Sequence, residues 1–239
     1  MARVSRGTPA KLHRIVARLR KAYGRSVPPP AVTAFELVLW ETVAYLATDE
    51  RRARAFEALR TRVGLTPQAI IKADPAVLSE IAAIGGAVAV EDRARHMHDA
   101  AAYVIDAFAG SLDSVLTRPL RESMRALRKF HGIGEPGAER ILLLMRARQV
   151  LALDSNGART LCRVGYGVQH KNYATMYRSV RAATGSELVA DFDWLIDAHL
   201  LTRRHGQEVC KATSPQCEVC VLKDECKYAK ANASRPARS

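Results

Sequence analysis

Four cysteines near the end of the chain carry the clearest chemistry. Cys210, Cys217, Cys220 and Cys226 follow the spacing C-x6-C-x2-C-x5-C, and the only other cysteine is Cys162. Thiolates this close in sequence can be folded inward around one metal centre. The C-x2-C half is a turn used by zinc sites and by iron–sulfur sites alike. A disulfide pair is the weakest reading, because nothing at the start of the chain resembles an export signal. Spacing by itself leaves structural zinc and a cubane iron–sulfur cluster both open.

Two acids stand out for their surroundings. Asp154 closes the apolar run 150–153 and is followed by Ser155-Asn156-Gly157. An aspartate before a helix is first of all an N-cap. Glu41 lies inside the mostly apolar stretch FELVLWETVAYL. An acid there is costly to bury without a task or a partner, and a nearby arginine is the plain reading. Between these acids, Gly132-Ile133-Gly134 separates two helical stretches, the second opening at Glu135-Pro136. Helix, G-I-G turn, helix is the shape of a helix–hairpin–helix. Its glycines let backbone N–H groups at the helix start approach a phosphate oxygen. A lone G-x-G is often merely a turn.

Composition limits what can position these residues. The chain has 239 residues, 48% hydrophobic but only 6% aromatic, which suits helices better than a β-sandwich. Lys and Arg total 37 against 24 acids, a formal charge of +13. A charge of that size on a small protein favours a polyanion such as nucleic acid. The longest uncharged apolar run, 81–90, has ten residues, whereas a bilayer span needs about 20. No membrane partner is expected.

Apolar periodicity predicts helices over 11–22, 34–46, 51–62, 73–83, 88–108, 118–130, 171–182 and 191–201. Another opens at Pro136 and a further one at Ser155. Leu12, Ile15, Val16 and Leu19 form one stripe in the first of them. Thr66 is predicted to cap a short helix starting at Pro67, and Asp74 the helix after it. Pro28-Pro29-Pro30 breaks the chain and marks a crossing between lobes. No stretch shows sustained strand alternation. Residues 1–9 read as a loose basic arm, and 231–239 as disordered.

The cysteine spacing, with its lead-in His205-Gly206-Gln207-Glu208-Val209, resembles the cluster loop that ends endonuclease III and the adenine glycosylase MutY. The hairpin 130–136 resembles the same family's LPGVG hairpin, with His131 in place of proline. Asp154 matches the family aspartate, which lies eighteen residues after a hairpin position that is lysine in the bifunctional enzymes. Here that position is Pro136. With the overall length, these signals cover nearly the whole chain.

The resemblance implies an all-α, two-lobed helix–hairpin–helix glycosylase fold: a six-helix barrel lobe over 28–150, and a cluster lobe from 1–27 and 151–239. It implies a 4Fe-4S cluster on Cys210, Cys217, Cys220 and Cys226, and a monovalent cation at the hairpin. It also implies a monomer acting on double-stranded DNA in the cytoplasm, associated with the nucleoid. The activity implied is a DNA glycosylase of base excision repair. Asp154 would be its main carboxylate, and Glu41, which aligns with an acid of MutY, a second one. DNA would be held by the backbone of Gly132, Ile133 and Gly134, by Asn156 of the MutY-like D-x-N, and by Lys211. Lys223 in the cluster loop shares that expectation with Lys211, solvated surface charge being the alternative for both. Tyr45 and Leu46 occupy the region where the family places a wedge, the alternative being ordinary core. Proline has no amine for a Schiff base, so the implied enzyme is monofunctional. The substituted hairpin keeps a rival in view: a member of the fold that binds DNA structure or lesions without catalysis.

Overall fold

The computed structural model describes residues 10–233. The basic arm expected over 1–9 lies outside them, as does most of the tail. Residues 231–233, expected to be disordered, belong to a helix. Among the described residues all regular structure is helical, in two compact units. One is built from Pro29–Arg148, the other from the chain before Pro29 and after Arg148. No described helix is long and apolar enough to cross a membrane.

The unit 29–148 contains α2 (Ala34–Thr42), α3 (Asp49–Arg62), α4 (Pro67–Lys72), α5 (Pro75–Ile84), α6 (Val90–Phe108), α7 (Asp113–Thr117), α8 (Leu120–Leu127) and α9 (Glu135–Leu144). Their apolar faces share one core that includes Leu37, Val38, Phe56, Leu59, Ile81, Met97, Leu127 and Ile141. Local chemistry sets the starts: Thr33, Thr48, Thr66 and Asp74 each accept a backbone N–H of the following first turn. The caps expected at Thr66 and Asp74 are therefore present.

Two helices differ from expectation. The helix expected over 34–46 stops at Thr42 because arginines take its last carbonyls. Arg52 Nη1 donates to Trp40 O at 2.6 Å and to Glu41 O at 3.3 Å, and Arg93 Nη1 donates to Val43 O at 2.6 Å. The buried Arg93 also donates to the carbonyls of Gly86 and Val88. One guanidinium thus ties the loop after α2 to the loop before α6. The helix expected over 118–130 shrinks to α8. Pro119 precedes it at the cap, and the separate turn α7 lies before that.

The other unit contains α1 (Lys11–Tyr23), α10 (Ser155–Val164), α11 (Tyr173–Thr184), α12 (Phe192–Glu208) and α13 (Lys227–Ala233). The α1 stripe Leu12, Ile15, Val16 and Leu19 is buried. Burying each such side chain is worth roughly 1.5–3 kcal/mol. Glycines set the close crossing of α10 on α12. A Cβ on Gly157 would lie 2.9 Å from Thr202 Oγ1, and one on Gly206 would lie 2.5 Å from Asn156 O. The crossing fixes the start of α10 against the last turn of α12, which leads into the cysteine loop.

Candidate functional site

The cysteine loop folds as two short 3-10 turns, Cys217–Val219 and Lys223–Glu225, and its cysteines are unpaired thiols. Several sulfurs have donors or acceptors aimed at them. Arg163 Nη1 lies 3.4 Å from Cys210 Sγ, and the backbone N–H groups of Leu222 and Ala229 donate to Cys220 Sγ at 3.4 Å and Cys226 Sγ at 3.5 Å. The Tyr23 hydroxyl lies 2.8 Å from His205 Nδ1, and His205 Nε2 lies 3.4 Å from Cys220 Sγ. Burial pushes Tyr23 up to about 12, so the phenol keeps its proton. Burial also pushes His205 down to about 4, consistent with a neutral ring, and Cys220 up to about 11.

Arg163 holds the loop from beneath. It is buried, stacks on Tyr228 with its guanidinium 4.5 Å from the ring centroid, and donates to Lys211 O at 2.6 Å and Ala212 O at 3.0 Å. N–H donors aimed at the sulfurs of Cys210, Cys220 and Cys226 suit thiolate ligands of an iron–sulfur group. Among the described residues no set of three or more metal-binding side chains closes on a single ion. Lys211 keeps its side chain exposed, whereas Lys223 Nζ is paired with Glu218 Oε2 at 2.7 Å.

Asp154 caps α10, accepting the N–H of Gly157 on Oδ1 at 2.8 Å. Its other oxygen is also engaged. Asn156 Nδ2 donates to Oδ2 at 3.0 Å, and Arg203 Nε on α12 lies 3.2 Å from it. The carboxylate is held on three sides, and its side chain is 15% exposed. From Asn156 a continuous link runs to the cysteine loop. Arg159 Nη2 donates to Asn156 Oδ1 at 2.8 Å and to Gly206 O at 2.7 Å, and Arg159 Nε donates to Cys210 O at 2.9 Å. Asp154, Asn156, Arg159 and Cys210 thus form one hydrogen-bonded chain. Sequence reasoning missed Arg159 and Arg163. Their spacing of three and then four residues after Asn156 on α10 was a readable sign of one helical face.

In the unit 29–148, the hairpin joins α8 to α9. Gly132 has φ 75°, a left-handed conformation that glycine adopts without strain. Ile133 is buried, and its N–H turns back to Phe130 O at 3.1 Å, so it anchors the turn. Gly134 precedes α9 with no side-chain cap, and Pro136 sits buried in the first turn. Arg140, one turn beyond Pro136, grips Glu41 on α2 with two bonds, Nε to Oε1 at 3.0 Å and Nη2 to Oε2 at 2.7 Å. Glu41 is thereby bound to the second hairpin helix, as the arginine-pair reading anticipates. Tyr45 and Leu46, at 55% and 80% exposure, stand outside the core on the loop that Arg93 fixes, and Leu46 has φ 49°.

An all-helical fold with a glycine hairpin, a capping aspartate and a four-cysteine loop is the arrangement that the resemblance to helix–hairpin–helix DNA glycosylases implies. Comparison with known proteins agrees. Residues 210–226 match the family described as the iron–sulfur binding domain of endonuclease III. Endonuclease III of Sulfolobus acidocaldarius is 27% identical over 195 residues, covering 81% of this chain and 82% of that one. Among solved structures, a trapped endonuclease III–DNA covalent intermediate superposes with TM-score 0.72 at 20% identity, covering 94% of this chain and 99% of the other. A thermostable thymine-DNA glycosylase superposes with TM-score 0.71 at 15% identity, covering 92% and 97%. The chain is similar in sequence to endonuclease III and shares the fold of these solved structures.

Proposed function

We propose that the protein is a monofunctional DNA glycosylase that hydrolyses the N-glycosidic bond of a damaged or mismatched base in duplex DNA. The observation that carries this reading is Asp154: a carboxylate fixed by Gly157, Asn156 and Arg203 and linked to the cysteine loop through Arg159. Breaking an N-glycosidic bond places positive charge on the sugar and negative charge on the departing base. A preorganised carboxylate beside the sugar stabilises that cation and orients the attacking water. The base must first leave the stack, which costs a few kcal/mol and least for a damaged or mispaired base. Tyr45 and Leu46 supply the wedge for the vacated space. Gly132 and Gly134 open the hairpin to a phosphate, with a monovalent cation alongside, and Asn156 and the exposed Lys211 complete the DNA contacts.

Cys210, Cys217, Cys220 and Cys226 would hold a 4Fe-4S cluster whose part is to fix the loop. Glu41 takes second place as a catalytic group. Both its oxygens serve Arg140, so it can donate a proton only when that pair opens. Monofunctional chemistry follows from Pro136, which has no amine for a Schiff base. The endonuclease III structure cited above was trapped as a covalent intermediate. Single-turnover base release from a panel of modified and mismatched duplexes tests the activity, and borohydride trapping tests its type. Base release without a trapped adduct is expected. A strong adduct removes the monofunctional assignment, and binding without release from any duplex favours the DNA-binding rival.

A further inference from the structure

We propose that His131, held in a stack on His96, is a further DNA-phosphate contact of the hairpin whose positive charge is switched on by acid. This rests on the reading of the hairpin as a DNA site. His131 immediately precedes Gly132 and is 58% exposed. Its ring lies flat on that of His96 from α6, with centroids 4.1 Å apart and planes 10° from parallel. An exposed side chain would otherwise sample several rotamers. The stack fixes this one beside the turn, so little rotamer freedom remains to be lost on binding.

Two stacked imidazolium rings repel, so the stack disfavours a charge on both at once. Burial, then the neighbouring His131 and Arg95, push His96 down, while Asp92 and Asp99 oppose that shift. Asp99, one turn along α6 from His96 and 45% exposed, has Oδ2 4.0 Å from Nε2 of His131, so a carboxylate faces that ring. Lys129 and Glu135 flank the turn in the chain. Imidazole is the side chain whose ordinary charge change falls between pH 5 and 8. The family-like proline at this position could carry no charge, so the contact is specific to this hairpin.

The test is duplex binding by the holoprotein, followed by fluorescence anisotropy between pH 8 and pH 5.5 at several salt concentrations. Wild type, His131→Ala, His131→Pro and His96→Phe are compared. In wild type the affinity should tighten by roughly five- to tenfold on acidification. The slope of log affinity against log salt should steepen by about 0.9, the signature of one added phosphate contact. Both His131 variants should lose that increment of gain and slope, and His131→Pro guards against a collapsed turn. His96→Phe keeps a stacking face and removes the competing imidazole, so the gain should persist with its midpoint at higher pH. An undiminished gain in both His131 variants, or an unmoved midpoint in His96→Phe, overturns the proposal. Failure of wild type to bind duplex at any pH would instead remove the functional reading itself.

Discussion

Replacing Asp154 by asparagine separates chemistry from architecture. Asparagine caps helices about as well as aspartate, so the bond from Gly157 N–H to the side chain should survive. What disappears is the charge on the oxygen that faces Asn156 and Arg203. If the amide oxygen keeps the cap, its NH2 meets two donors, Asn156 Nδ2 and Arg203 Nε, at what were contacts of 3.0 and 3.2 Å. Asn156 cannot simply turn over, because its own oxygen serves Arg159. Losing a partly exposed charge pair and one hydrogen bond should cost about 1–2 kcal/mol, a few degrees in apparent melting temperature for a chain of this size. Removing a preorganised charge from a developing cation typically costs about 100- to 1000-fold in rate, or about 2.7–4 kcal/mol. Single-turnover release of the base, scored as alkali-labile sites, should fall by that factor. Anisotropy with a duplex carrying an abasic analogue should change far less. Asp154→Ala adds loss of the cap and should melt lower still. Base release within about threefold of wild type in Asp154→Asn would leave Asp154 a helix cap only, because a missing charge at the reacting sugar could not be that silent.

Four further outcomes are expected. Gly134→Leu should weaken duplex binding for every sequence and flatten its salt dependence. A Cβ at Gly134 would meet only Pro136 Cδ, at 3.8 Å, so unchanged melting would tie the loss to the DNA contact. The purified holoprotein should be yellow-brown with broad near-visible absorption, and Cys220→Ser should lose the colour; a colourless protein with stoichiometric zinc, prepared without air, would refute the cluster. Arg159→Leu breaks the bonds to Asn156 Oδ1, Gly206 O and Cys210 O together, so it should lower both the base-release rate and the retention of iron under chelator challenge, and an effect on neither would show the link to be idle. Arg93→Met leaves the carbonyls of Val43, Gly86 and Val88 without their partner, and should lower stability by roughly 2–4 kcal/mol in thermal melts while raising the protease sensitivity of the loop bearing Tyr45 and Leu46.

Sequence by itself determined the features that depend on near neighbours in the chain. Cysteine spacing, the glycine hairpin, the proline in place of an amine, the caps at Thr66, Asp74 and Asp154, and the apolar stripe of α1 are all local patterns. They are legible because turn geometry and helical period act over a few residues. Tertiary structure decided whatever depends on a long side chain finding a distant carbonyl or carboxylate. Arg52 and Arg93 end α2 at Thr42 and put Tyr45 and Leu46 outside the core, where periodicity continued the helix. Arg140 reaches Glu41 across ninety-nine positions of sequence, and Arg159 joins Asp154's neighbour to a cysteine fifty-one residues further on. The stacking of His131 on His96 likewise comes from helix packing alone. A guanidinium can satisfy several acceptors at once from a flexible stem, and its choice among them is set by which backbones the packed core brings within reach.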